Sequence, residues 1–408
     1  MTQLSPVEQP FLDLEQDRAK ARELSGLPHI QLSEHLRQAQ RLLGVGQRRM
    51  FRQMAELAVG PGLLTPSEYL IYRLFDPSMP AKEKRRFIGK KMQYRAHVAC
   101  TEAPWRAISR DKLVFYGLMQ SLGFPVPKLV ALYHPDRTFA NSSVLRTADA
   151  LTGFLQSIDR PLFAKPVDGM YSIGCLAIEK AEVPGTVRLA LGQIASAAQV
   201  ANYVQGRPAG YLFQEHLHPH PDLARLCGPA ASTIRMLVFL APDGPELVSA
   251  LWKIPTGRNV ADNFWRGNLL GALDRESGRI VRAVSGVGMN QVLHPTHPDT
   301  GEVLVGAALP HWADAQRLCL EAAVNLPGLR TQSWDIAITD RGPVLIEVNW
   351  GGDLNLPQIA HGRGLLDDRY ETHLQRCGFG RHFLPERLAN PLARRVLAKG
   401  RRLYSRLR

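Results

Sequence analysis

Across residues 29–59, apolar side chains recur at helical spacing between basic ones: Leu32, Leu36, Leu42, Leu43, Met50, Met54 and Leu57. That period predicts one or two helices with a break near Gly44 and Gly46. Gly60-Pro61-Gly62 closes the segment, and Thr65-Pro66-Ser67-Glu68 has the form of a helix start, with Thr65 as N-cap and Glu68 three residues on. Residues 1–100 are therefore expected to form a mainly helical N-terminal region, a scaffold or substrate-side cap. From residue 110 the pattern changes. Arg110-Asp111-Lys112 opens a helix through Leu113, Phe115, Leu118 and Met119, which Gly123 and the following prolines end. Short apolar runs bounded by turn residues then predict strands at 162–164, 174–178, 211–213, 233–240, 247–253 and 344–348. Helices are expected at 189–204 and 311–325. The result is an α+β body with much antiparallel pairing.

Composition narrows the class. A chain of 408 residues is too long for one compact core and suits two or three domains. With 45% hydrophobic and 21% charged residues it reads as an ordinary soluble globular protein. No apolar run reaches membrane-spanning length, and the acidic, proline-interrupted start lacks a signal-peptide pattern. A cytoplasmic location is expected. Cys100, Cys175, Cys227, Cys319 and Cys377 show no CxxC spacing, which argues against a disulfide framework or a thiolate zinc site. The formal net charge is +13, and residues 381–408 carry nine Lys/Arg against one acid, Glu386. Such a surface suits anionic partners. Within 391–408, Leu392, Val396, Leu403 and Leu407 fall within about 60° of one another on a helix. The pattern fits a basic amphipathic helix at the anionic inner face of a membrane, against a frayed terminus containing Gly400.

Three segments carry candidate chemistry. In the first, residues 334–349, two strands flank a turn at Asp340-Arg341-Gly342. Asp335 is expected at the start of one strand, with Glu347 and Asn349 near the end of the next. Those two lie two residues apart and share a face, and hairpin pairing would bring Asp335 beside them. Hard oxygen ligands on rigid strands suit Mg²⁺. In the second, strand 162–164 delivers Lys165, and a loop follows with Gly169, Ser172 and Gly174. Its small residues let backbone approach phosphates, to which Lys165 would add a point charge. In the third, Arg235 and Lys253 occupy strand patterns that are otherwise apolar. Each needs an anionic partner, either a structural carboxylate or a phosphate or substrate carboxylate. His216, His218 and His220 alternate, but Pro219 and Pro221 argue against a strand that would present them to zinc.

Taken in order, Asp111-Lys112, Lys165-Pro166 with its Gly/Ser loop, Gln214-Glu215-His216-Leu217, Ser232-Thr233-Ile234-Arg235, Asp262-Asn263-Phe264, and Trp334-Asp335 with Glu347-Val348-Asn349 resemble the ATP-grasp superfamily, in its sugar-transfer-associated branch. The likeness covers about residues 65–375. It implies an ATP-grasp fold in which two α+β lobes clamp ATP, at 101–211 and 212–378, ahead of a basic tail at 379–408. By resemblance, Lys112 and Lys165 are nucleotide lysines, and Glu215 and Leu217 belong to the strand that holds adenine. Asp222 is a candidate ribose ligand, and Asp335, Glu347 and Asn349 are Mg²⁺ ligands. Arg235, Lys253 and Asn263 would sit near the γ-phosphate or the acceptor. The loop carries Met170 and Tyr171 where the branch has consecutive glycines, and no double glycine follows Asn263.

The implied activity couples a carboxylate to an amine through an acylphosphate, in cell-surface polysaccharide or sugar-conjugate biosynthesis. An ATP-grasp kinase acting on a hydroxyl and a non-catalytic nucleotide-binding protein are the alternatives. Nucleic-acid binding ranks last, because the positive charge sits mostly in the tail with little aromatic interleaving.

Overall fold

The computed structural model describes residues 12–25, 31–139, 142–189, 192–257 and 263–379. The amphipathic pattern at 391–408 and Asp262 lie outside them. Two sheets of seven strands each organise the described chain. The first contains β1 (Leu129–Tyr133), β2 (Ser143–Leu145), β3 (Leu162–Pro166), β4 (Leu176–Lys180), β5 (Thr186–Leu189), β6 (Ile194–Ser196) and β7 (Tyr211–Glu215), in the order β2-β1-β7-β3-β4-β5-β6. The second contains β8 (Thr233–Ala241), β9 (Gly244–Ile254), β10 (Leu269–Leu273), β11 (Ile280–Ser285), β12 (Val292–Leu293), β13 (Thr331–Thr339) and β14 (Gly342–Trp350), in the order β12-β11-β10-β9-β8-β13-β14.

The N-terminal stretch is helical for local reasons. Helices Leu32–Leu43 and Gln47–Ala58 are separated at Gly44, whose left-handed φ of 65° ends the first. Thr65 and Glu68 close a capping box at the head of helix Pro66–Ile71. Leu36, Met50, Tyr69, Leu70 and Phe75 from this region bury against Leu251 and Leu270 of the second sheet. Helix Leu14–Ser25 instead joins the first sheet's side, where Asp17 pairs with Tyr203 and Arg207.

Two expectations shift. Helix 189–204 begins only at Ala197, where Ser196 and Gln199 form a second capping box, and the preceding residues build β5 and β6. The strand expected at 174–178 starts at Leu176, because Ser172 and Gly174 hold left-handed φ values. In addition, β7 pairs with β1 and β3, so the passage from the first sheet to the second follows Glu215. Helix Lys112–Ser121 lies at the junction, and its Phe115 meets Trp334 of β13 at 6.0 Å between ring centroids. Alternating residues divide the faces of the second sheet. Ile234, Met236 and Val238 enter the core with helix Trp312–Ala323, while Leu237 and Phe239 face helix Asp368–Arg376.

Candidate active site

Strand register assembles the centre of the site. Arg235 of β8 lies opposite Asp335 of β13, and Asp335 lies opposite Glu347 of β14. Three ionisable side chains thus form a row across three strands. Asp335 is 2% exposed and stands in mid-strand, not at the strand's start. Its carboxylate accepts from Arg235 Nε at 2.8 Å and Nη2 at 2.7 Å, and from Lys253 Nζ at 3.2 Å. Burial alone would raise the Asp335 carboxyl, but Arg235 and Lys253 outweigh it and hold the group well below the carboxylate range. Burial likewise opposes the Arg235 guanidinium, and Asp335, Glu347 and Asp353 more than restore it. Asp335 is thus a structural carboxylate partner for both strand cations.

Glu347 and Asn349 are half-buried, and Asn349 Nδ2 donates to Glu347 Oε1 at 3.2 Å. The three oxygen-bearing residues are therefore adjacent but unequal. Asp335 is already matched by two cations, whereas Glu347 and Asn349 offer a carboxylate and an amide oxygen on a partly open face. Two carboxylates and an amide oxygen are the kind of donors that Mg²⁺ takes together with substrate phosphates, and the Glu347–Asn349 part of the set is the more open one.

The lysines approach Glu347 from the junction between the sheets. Asp111 caps helix Lys112–Ser121 by accepting from Leu113 N at 2.9 Å and Val114 N at 3.3 Å. Lys112 then reaches back to donate to Gly169 O at 2.5 Å. Lys165, on β3, is 5% exposed and donates to Tyr116 Oη at 2.8 Å. The Tyr116 hydroxyl donates in turn to Ile346 O on β14, at 3.2 Å. Burial lowers Lys112, with Lys165 adding repulsion and Glu347 offsetting part of it. Burial also opposes the charge on Lys165, but Tyr116 and Glu347 outweigh it and push that group up. Two ammonium groups thus face one carboxylate, a local excess of positive charge suited to phosphate.

The loop after β3 shows how the missing glycines are replaced. Tyr171 and Ser172 both take φ of 57°, and Gly174 takes 78°. Ordinary side chains thus occupy the left-handed region that consecutive glycines would enter freely. The strained turn is tied from both sides. Tyr211 donates its hydroxyl to Gly174 O, and Asn263 Nδ2 donates to Tyr171 O at 3.0 Å. Asn263 Oδ1 accepts from Trp265 N at 3.0 Å, so both polar atoms of this side chain hold backbone.

A family model described as sugar-transfer associated ATP-grasp matches residues 104–373, more than half of the chain and all of the cluster above. The chain belongs to that family. It is an ATP-grasp enzyme with the corresponding fold. No curated protein matches it in sequence. Solved structures similar to it include the D-alanine–D-alanine ligase from Bacillus anthracis complexed with ATP, at 13% identity over 68% of this chain and 70% of that one, with a TM-score of 0.36. VanG D-Ala:D-Ser ligase from Enterococcus faecalis is similar at 16% identity over 68% of this chain and 63% of its own, with a TM-score of 0.36. N5-carboxyaminoimidazole ribonucleotide synthetase from Thermotoga maritima is similar at 11% identity over 59% of this chain, with a TM-score of 0.31. The chain spans 41% of that synthetase's length. The family assignment rests on the sequence match and not on these partial superpositions.

The remaining expected residues of this ATP-grasp enzyme are spread along the junction. Leu217 is buried with Ala337 and Val344, and Ile346 packs against that group. It therefore continues the line from Lys165 through Tyr116 to Ile346. Glu215 is anchored: its carboxylate accepts from Lys128 N at 3.0 Å and from Arg341 Nη2 at 3.1 Å. Asp222 sits exposed at the start of helix Pro221–Cys227, 3.6 Å from His220 Nδ1, and no contact links it to the cluster. Two residues were missed by sequence reading. Tyr116 stands inside helix Lys112–Ser121, whose apolar positions dominate its sequence pattern. Asp353 lines a small cavity with Arg235, Ser249 and Ser333. Gly351 and Gly352, both at positive φ, fold the chain back so tightly that a Cβ at Gly352 would meet Ser333 at 2.4 Å. That glycine pair after Asn349 was the available signal. Gln93 of helix Lys90–Ala99 holds this return loop, donating to Gly352 O at 3.0 Å and accepting from Leu354 N at 3.1 Å.

Proposed function

We propose that this ATP-grasp enzyme is an ATP- and Mg²⁺-dependent carboxylate–amine ligase working through an acylphosphate, with a role in cell-surface polysaccharide or sugar-conjugate biosynthesis. The observation that carries the reading is the gathering of Lys112, Lys165, Arg235 and Lys253 around the Asp335–Glu347–Asn349 oxygens where the two sheets meet. In this reading the chain from 101 through β7 and the chain after β7 to 378 supply the two lobes, so that β7 belongs to the first and not, as a boundary at 211 would have it, to the second; residues 1–100 form the substrate-side cap. The adenine lies near Leu217 and the end of β7, with Asp222 as a ribose ligand. Lys112, Lys165 and the loop from Gly169 to Gly174 hold the phosphates. Glu347 and Asn349 hold Mg²⁺, which when bound neutralises phosphate charge.

The substrate carboxylate attacks the γ-phosphorus, ADP leaves, and an acylphosphate forms. The amine then attacks the acyl carbon and phosphate leaves, giving the amide. Arg235 and Lys253 neutralise the transferred phosphoryl group or the substrate carboxylate, and Asp335 keeps both cations aimed. Asn263 holds the loop over the phosphates through Tyr171 O. The protein acts by positioning and charge neutralisation and needs no covalent nucleophile.

Incubation with ATP, Mg²⁺ and pools of amino acids, amines or nucleotide sugars should yield ADP, inorganic phosphate and a new mass equal to two substrates less water. A phosphorylated acceptor without free phosphate would instead identify a hydroxyl kinase. Glu347→Gln should keep the fold and lower turnover by about 10²–10³-fold, as the loss of a preorganised charge-stabilising group does. Wild-type turnover in that variant would overturn the Mg²⁺ role of Glu347.

A further inference from the structure

Two cysteines far apart in sequence meet at a second, buried cluster. Cys100 caps helix Lys90–Ala99, and Cys377 caps helix Asp368–Arg376. His373 lies four residues before Cys377, on the same helical face. The sulfurs of Cys100 and Cys377 and a ring nitrogen of His373 all fall within 4.8 Å of one another, and all three residues are buried. His373 Nε2 is 3.6 Å from Cys377 Sγ and 2.9 Å from Thr331 Oγ1. The Oη of Tyr370, one turn before His373 and fully buried, has no hydrogen-bond partner among the described residues, and both cysteines act on it electrostatically.

We propose that Cys100, His373 and Cys377 form a structural site for one thiophilic divalent cation, zinc, completed by the hydroxyl of Thr331 or of Tyr370. The donor chemistry fits: two thiolates and an imidazole are ligands that zinc selects, and closed four-ligand sites are its structural form. The spacing fits as well. Tetrahedral bonds of about 2.3 Å to sulfur and 2.0–2.1 Å to nitrogen place S and N about 3.6 Å apart, the separation found between Cys377 and His373.

The surroundings hold these donors in place. Arg330 N donates to Cys100 O at 2.9 Å. Its guanidinium donates to the carbonyls of Ala99, Arg376 and Cys377 at 3.1–3.2 Å, clamping both helix ends together. The His373 ring stacks on Phe239 at 4.0 Å with an interplanar angle of 2°, which fixes its direction. A groove lined by Phe239, Thr372, His373 and Arg376 borders the histidine side of the cluster. Phe239 lies four residues along β8 from Arg235, so the cation would pin two helices to the same sheet face that carries Arg235 and Asp335. A spacing of 277 residues between the cysteines hides such a site from any search for local CxxC spacing.

The test uses the full chain, stripped with chelator under reducing conditions and titrated with ZnCl₂ or, separately, CoCl₂. One equivalent of either metal should bind per chain, the cobalt form showing thiolate-to-cobalt charge-transfer absorption. Cys100→Ser and Cys377→Ser should abolish that band. They should lower zinc affinity by more than the 10–100-fold typical of losing an outer-shell partner. Cys319→Ala, at a buried cysteine outside the cluster, should bind as wild type. Should the serine variants fail to fold, alkylation mapping of the wild-type chain decides. Zinc should slow modification of Cys100 and Cys377 relative to the stripped protein while leaving Cys319 unchanged. No retained metal, metal without protection of those two thiols, or a Cys100–Cys377 disulfide in the purified protein would each overturn the site.

Discussion

Asp335 shows how one buried carboxylate can hold two strand cations in place. The carboxylate is fully enclosed, and its stability there depends on Arg235 and Lys253. Removing one partner from a buried ion pair leaves uncompensated charge, at a cost of about 3–5 kcal/mol. Asp335→Asn is therefore expected to destabilise the protein by that order in denaturant unfolding at pH 7. The pH dependence follows from the same contacts. The Asp335 carboxyl lies below its ordinary value of 3.8 in the folded state. The unfolded chain therefore takes up its proton first as pH falls. The stabilisation is complete above about pH 5 and is lost as pH drops through 3.8 toward the folded value. Unfolding curves should show this acid loss in the wild type and less of it in Asp335→Asn. Equal stability of the two proteins at pH 7 would mean that the pair contributes nothing.

Elements impose their own constraints, most visibly in the loop between β3 and β4. Gly174 sits at φ 78°, and a Cβ there would meet Pro166 at 3.0 Å and the Arg207 guanidinium at 3.1 Å. Ser172 holds a left-handed φ despite its side chain. Left-handed backbone costs an ordinary residue about 1–2 kcal/mol. Gly174→Ala should lower stability by at least that, and Ser172→Gly should raise it or leave it level, because relief of strain competes with a looser unfolded chain. Thermal melts of both variants measure the contrast, and a loss in Ser172→Gly matching that in Gly174→Ala would refute the strain argument. Elements were legible in sequence where a local device marks them. Gly44 ends one helix, Thr65 and Glu68 start another, and the turn after Thr339 closes the β13–β14 hairpin. The start at Ala197 is equally marked by Ser196 and Gln199, but the apolar run before it suggests helix and instead pairs as a strand edge. The membership of β7 in the first sheet depends on partners more than 40 residues away, and no local pattern encodes that choice. The same limit applies to side chains. The pairing of Asp335 with Glu347 follows from hairpin register, whereas the joining of Lys165 to Ile346 through Tyr116 follows from how a helix seats between two sheets.

At the scale of the whole molecule, polar contacts among the described residues join the two sheets, and Arg341 beside Glu215 is one of them. Tyr116 Oη reaches Ile346 O, Asn263 reaches Tyr171 O, and Leu345 N donates to Pro125 O at 2.9 Å. A nucleotide held by Lys112 and Lys165 on one side and by Glu347 and Asn349, through Mg²⁺, on the other would add a further link that exists only in the folded state. A ligand that binds the folded chain alone stabilises it by about 2.7 kcal/mol at 100 times its dissociation constant. For a body of this size that corresponds to a rise of roughly 3–5 °C in Tm. Saturating Mg²⁺ and a non-hydrolysable ATP analogue should produce such a rise in the wild type. Lys165→Met should shrink it at fixed analogue concentration, since losing a charged hydrogen bond costs about 1.5–3 kcal/mol, or at least a tenfold weaker affinity. Asp335→Asn should start from a lower Tm but still respond, because in the proposed reading Lys112, Lys165, Glu347 and Asn349 hold the nucleotide while Asp335 holds Arg235 and Lys253. The responses thus separate residues that meet the nucleotide from those that hold the fold. A rise in Lys165→Met equal to that of the wild type would remove Lys165 from the nucleotide site while leaving the family assignment intact.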